Sequence, residues 1–302
     1  MPAPAAPRHP LLLAASLVLA GAVALTVHVA MLAWGIPFPL SQPPAWARWL
    51  NLSLTIGAVF VVLRLAGPVF GRRGWLTRAL IVFALLLTIR ETARAGIMSG
   101  VVTGAWTHSA IGLFEPVARI LIQAVLCLAA VRWVRGGVSL ALVALATAAL
   151  CMGGQALAGM ALAPLIEQFA SLARPAQYVF PYPFHATLAA YLTMLEPVIG
   201  TTLLLALVWQ RLPGTRVARL LACALLVALL KGIVGMTFLF SFFMQQPPLD
   251  GMLSYSQFLF EFLALGFLAA LAWEAFGPRV APPRMAAAAS VKVRSPAPSW
   301  PS

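Results

Sequence analysis

Eight charged side chains fall inside otherwise apolar stretches of the sequence: Arg90, Glu91, Arg94, Glu115, Arg119, Glu196, Lys231 and Glu261. In an apolar setting the cations would bind an anionic group, and the carboxylates would relay protons or hold a cation. The same residues could instead neutralise one another. Glu115 precedes Arg119 by four residues, the favourable order on a helix, and Glu91 precedes Arg94 by three. Lys231 would then meet Glu261 on a neighbouring helix, while Arg90 would meet Glu115 or Glu196. Pro116 and Pro197 each follow a glutamate directly. There they free a backbone carbonyl for a site, or simply occupy the first turn of a helix, where proline is tolerated.

The elements that carry these charges follow from composition. Hydrophobic residues make up 62% of the 302 positions and charged ones 9%, with a mean hydropathy of +0.95. A soluble domain averages roughly 25% charged residues, so this chain reads as an all-α membrane protein. A hydrocarbon core about 30 Å thick takes ~20 apolar residues per helix. Apolar runs near 11–34, 49–70, 76–99, 110–134, 138–163, 186–210, 217–242 and 254–276 give eight expected transmembrane helices. The first run is too long for an ordinary signal-peptide core, so it is expected to stay as a helix after a short N-terminus, 1–10.

Basic residues set the expected orientation. With the N-terminus inside, fourteen Lys and Arg fall in inner segments and only Arg48 and Arg174 in outer ones, alternating through every loop. Both termini are therefore expected in the cytoplasm. The net charge of +13 is spread over short loops, so it marks topology, and no nucleic-acid partner is expected. The partners expected are the lipid bilayer, a small charged ligand, and a second membrane protein or another copy of the chain. A composition rich in Arg, Ala, Leu, Pro and Gly points to a bacterial inner membrane.

Short matches suggest an internal repeat. Leu113-Phe114-Glu115 recurs as Leu259-Phe260-Glu261, and Glu115-Pro116-Val117 as Glu196-Pro197-Val198, while Trp49-Leu50-Asn51 opens the second run. Arg90 lies twelve residues after Arg78, and Lys231 twelve after Arg219. His28 and Gln155 fall at comparable depth in the first and fifth runs. The expected architecture is two parallel four-helix halves, 11–135 and 136–277, or four helical hairpins. At 1.5 Å per residue, Arg90 and Lys231 lie ~18 Å from the inner edge and the glutamates ~9–15 Å below the outer one, so the charges converge in the outer half. An isolated charge at a helix centre costs about 2.5–3.5 kcal/mol, or about 20 kcal/mol gross for eight. Such side chains must face the bundle interior.

Between Pro164 and His185 the spacing of Leu165, Ile166, Phe169 and Leu172 predicts a short amphipathic helix in the membrane interface, near 164–174. Tyr178, Phe180, Tyr182 and Phe184 follow it, as an interfacial aromatic anchor or a cover over an outward cavity. The stretch 278–302 is Pro-rich and basic and reads as a disordered cytoplasmic tail. Cys127, Cys151 and Cys223 lack paired spacing and read as small buried residues.

Function narrows without being named. A permease-like or ligand-binding component with its site at Arg90, Arg94, Glu115, Arg119, Glu196, Lys231 and Glu261 is the leading expectation. A structural or assembly subunit, whose charges only pair helices or dock a partner, is the alternative. A haem cytochrome would need facing histidines, and His28, His108 and His185 all lie toward the outer side. Intramembrane proteases of the CAAX-processing type carry paired glutamates before an arginine. Arg90-Glu91-Thr92-Ala93-Arg94 has one glutamate, and no later run has a mid-span histidine. No catalytic set, cofactor motif or metal motif is apparent.

Overall fold

The computed structural model describes residues 7–71, 73–174 and 180–278. Among these the fold is helical, with one isolated antiparallel bridge between Ser41 and Met244. Arg72, Tyr178 and the expected tail beyond Pro278 lie outside the described residues.

Two long helices open the chain, α1 (Pro10–Ala33) and α2 (Ala45–Phe70), followed by the shorter α3 (Trp75–Ile89) and α4 (Thr92–Thr103). Then come α5 (Trp106–Gly112), α6 (Phe114–Ala130), α7 (Gly137–Gln168), α8 (Phe184–Thr193) and α9 (Leu195–Val208). The last are α10 (Arg216–Lys231), α11 (Ile233–Leu239) and α12 (Pro248–Phe276). Six stretches are long and apolar enough to cross a membrane: 10–33, 45–70, 106–133, 137–168, 184–211 and 248–276. A seventh appears if α10 and the helical turns after it, bent by 74°, count as one span. These are the helices of a multi-pass membrane protein.

The expected third span departs from that pattern. The chain there is two helices, α3 and α4, with Arg90 and Glu91 between them, and Glu91 adopts the left-handed conformation at φ 58°. Three charges within five residues and this kink replace the continuous apolar helix that 76–99 suggested. The other breaks have readable causes. Proline cannot donate to the carbonyl four residues back and clashes with it. Pro116 so faces Gly112, the last residue of α5, and Pro197 faces Thr193, the last of α8. Gly232, at φ 85°, ends α10 with a left-handed glycine cap. Glu261 has no proline after it, and α12 runs through it unbroken.

The segment expected as a separate interfacial helix is instead the end of α7. Pro164 sits inside that helix, which continues to Gln168 before a single 3-10 turn over Ala170–Leu172. At 32 residues α7 spans about 48 Å, well beyond a ~30 Å hydrocarbon core, so one end overhangs it.

Packing places α3, α9, α10 and α12 around the core, with α1 against α12 and α9, α2 between α7 and α10, and α6 between α3 and α7. Phe60, Leu86, Ile89, Leu204, Leu230 and Phe262 are fully buried there. Helices α3 and α9 meet closely at Gly200, where a Cβ would stand 2.8 Å from the Ile89 backbone nitrogen. At one end of the bundle the α1–α2 connection touches the turns before α12, Gln42 N–H donating to the Phe243 carbonyl at 3.3 Å. At the same end His108 Nδ1 lies 3.3 Å from the Phe169 carbonyl. At the opposite end Arg211 donates to the Leu65 carbonyl at 3.1 Å, and Arg216 pairs with Glu274 at 2.7 Å.

Candidate functional site

The broken helix α3–α4 is the centre of the charged cluster. Its kink exposes the last carbonyls of α3 and the first amides of α4, which have no partner within either helix. Lys231, the last residue of α10, donates to the Arg90 carbonyl at 3.2 Å and to the Glu91 carboxylate. Glu196, in the first turn of α9, accepts the Ala93 amide at 3.0 Å and the Arg94 amide as well. A carboxylate from another helix thus caps the N-terminus of α4, where the dipole favours negative charge. A left-handed non-glycine residue costs on the order of 1–2 kcal/mol. Glu91 is held in that conformation by Arg94 and Lys231, both bonded to its carboxylate.

Arg94 reaches across to α12, where its Nη1 lies 3.3 Å from Glu261 Oε1. Glu261 is 1% exposed, and its other oxygen is 3.5 Å from His28 Nδ1 on α1. The Lys231 ammonium also lies 4.6 Å from the centre of the Phe262 ring, a cation–π contact. Glu91, Arg94, Lys231 and Glu261 thus form one bonded chain linking α4, α10 and α12.

Two expected pairings are corrected. Lys231 meets Glu91 and not Glu261, because the kink turns Glu91 toward the end of α10. Arg90 meets neither Glu115 nor Glu196: Glu196 is taken by the α4 amides, and Glu115 pairs with Arg119 along its own helix. The Glu115–Arg119 pair is half-exposed and stands apart from the bonded chain. Arg90 keeps a buried Nε with no hydrogen-bond partner, and no carboxylate pairs with its guanidinium among the described residues.

Two cavities flank this cluster. The larger, about 820 Å³, is lined by Arg48, Asn51, Arg90, His108, Arg119, Gln155 and Lys231 among others. The second, about 530 Å³, is lined by His28, Arg90, Arg94, Lys231 and Glu261 together with aromatic and aliphatic side chains. Helix α4 is the partition between them. Thr92, Gly96 and Ser99 face the first, Arg94, Met98 and Val102 face the second, and Ala95 borders both. Both volumes lie within the ~300–1,000 Å³ of small-molecule sites. Phe180, Pro181 and Tyr182, from the aromatic loop, line the second cavity.

Of the seven candidate residues, Arg90, Arg119 and Lys231 border the first cavity, while Arg90, Arg94, Lys231 and Glu261 border the second. Glu115 and Glu196 stand behind them, on Arg119 and on the α4 amides. The histidines do not gather: His28 and His108 line different cavities, and His185 is exposed. Arg48, read from sequence as a loop charge, lies in α2 and lines the first cavity. His28 and Asn51 had a sequence signal as polar residues in apolar runs.

The chain matches no protein-family model, no curated protein and no solved structure. What it binds has to be argued from its own geometry.

Proposed function

We propose that the chain is an eight-span inner-membrane protein, permease-like or ligand-binding, that takes an anionic group in the polar cavity beside Arg90. Arg90 carries this reading. A part-buried arginine in an apolar interior without a counter-ion is costly, and here every neighbouring carboxylate is already engaged. Arg48 and Lys231 share the cavity wall, and Glu91, the one acidic residue lining it among the described residues, is held by Arg94 and Lys231. The excess of positive charge suits a small anion or an anionic head group.

The same reading has both termini in the cytoplasm and the cavities in the outer half of the bilayer. Alternation of basic loops supports the orientation. For a parallel repeat, the two breaks that follow a cation are alike. Arg90 is followed by left-handed Glu91 and Lys231 by left-handed Gly232. Both Glu-Pro-Val motifs also occupy the second to fourth positions of a helix, in α6 and α9.

Thermal stability of the purified protein in a panel of small anions tests the proposal. Phosphate, sulfate or a short carboxylate should raise the melting temperature of the wild type and leave Arg90→Ala unmoved, since a ligand stabilises only the state that binds it. A panel without effect on the wild type, or an equal effect on Arg90→Ala, would contradict it.

A further inference from the structure

The second cavity differs in chemistry from the first and is walled off from it by α4. Leu25, Val29, Phe38, Met98, Val102 and Phe258 give it an apolar face opposite the charged residues. Within that lining stands His28, whose side chain is 9% exposed and whose buried Nδ1, 3.5 Å from Glu261 Oε2, makes no hydrogen bond. The imidazole is packed against Phe258 at 4.6 Å between ring centres and edge-on to Phe38 at 6.4 Å. Buried polar groups ordinarily find a partner, and with Nδ1 turned to Glu261 the other ring nitrogen is the one left to meet a ligand atom in the cavity that His28 lines.

The remaining charges limit what that ligand can be. Glu91, Arg94, Lys231 and Glu261 are bonded to one another, so a cationic occupant would have to break that chain, and an anionic one would find only Arg90, at the border shared with the first cavity. Histidine and the Arg90 guanidinium at the border offer donors, which suits an uncharged acceptor oxygen. A chamber with apolar walls inside a membrane protein is filled most readily from the bilayer.

We infer that this cavity is a second binding site, for an uncharged lipid-soluble amphiphile whose carbonyl head accepts a hydrogen bond from His28 and whose apolar chain packs along Phe38 and Phe258. Membranes supply such molecules as acyl esters and as quinones. The site does not depend on the anion reading of the polar cavity.

Full-length protein in detergent is incubated separately with a short-chain diacylglycerol and with a decyl-substituted benzoquinone, and the molecule retained after gel filtration is quantified. One probe should be retained by the wild type, which identifies the source. Retention should fall about tenfold or more in His28→Phe, which keeps the ring and removes the donor, and be lost in Ala190→Trp, which fills the chamber. Retention of neither probe, or equal retention in both variants, overturns the inference. As a check free of variants, a diazirine-bearing form of the retained probe is photolysed on the wild type. Labelled peptides from α1 and α8 support the site, and labelling confined to other helices overturns it.

Discussion

Among the described residues Glu196 makes no ion pair. Its two oxygens accept the Ala93 and Arg94 amides, so its energetic role is that of a helix cap supplied across the fold. Loss of such a cap typically costs about 0.5–2 kcal/mol. Glu196→Ala should lower the melting temperature and speed amide exchange at 93–96, with Glu196→Gln in between; unchanged exchange would contradict the cap. Glu91 and Lys231 invite a different test. Removing one partner of a buried pair is strongly destabilising, while removing both can be close to neutral. A double-mutant cycle on Glu91→Gln and Lys231→Met should therefore give a coupling of about 1–3 kcal/mol, and additive losses would mean that the pair does not act as one unit. Residue spacing made the local pairs legible: Glu91 with Arg94, and Glu115 with Arg119. It could not show that Glu91 would turn left-handed, and that turn hands Lys231 to Glu91 and leaves Arg90 over.

At the scale of elements, the breaks in the helices organise the site. Three of the four are explained by residues present in the sequence: prolines after Glu115 and Glu196, and a glycine after Lys231. The fourth, between Arg90 and Glu91, depends on tertiary partners from α9 and α10, and reading an apolar run as a single helix passes over it. The overextended α7 has a related cause. Pro164 suggested a boundary, yet the helix continues through it to Gln168, so composition alone misplaced an end that backbone continuity decides. Close packing of α3 on α9 depends on Gly200. Gly200→Ala would drive a methyl group against the Ile89 backbone and Thr88, and should destabilise the protein by about 1–3 kcal/mol. A melting temperature equal to that of the wild type would show that the two helices can separate at no cost.

For the whole molecule, the six apolar helices long enough to cross a membrane were legible from hydropathy. The division of the charged layer into two cavities by α4 was not, because it depends on which face of a twelve-residue helix meets which neighbour. Orientation can be checked directly. Single cysteines introduced at Ser41 and Ala173 should react with an impermeant maleimide added to intact cells, and ones at Gly74 and Gly214 only after permeabilisation. The opposite pattern would invert the topology. The central claim is that Arg90 is a spare charge kept for a ligand rather than a strut between helices. Its most direct test is the melting temperature of Arg90→Leu beside the wild type, both purified without added anions. Removing an unpaired, part-buried charge and retaining bulk should leave the melting temperature equal or higher. If Arg90→Leu instead fails to accumulate or melts well below the wild type, Arg90 is part of the scaffold and the account is wrong.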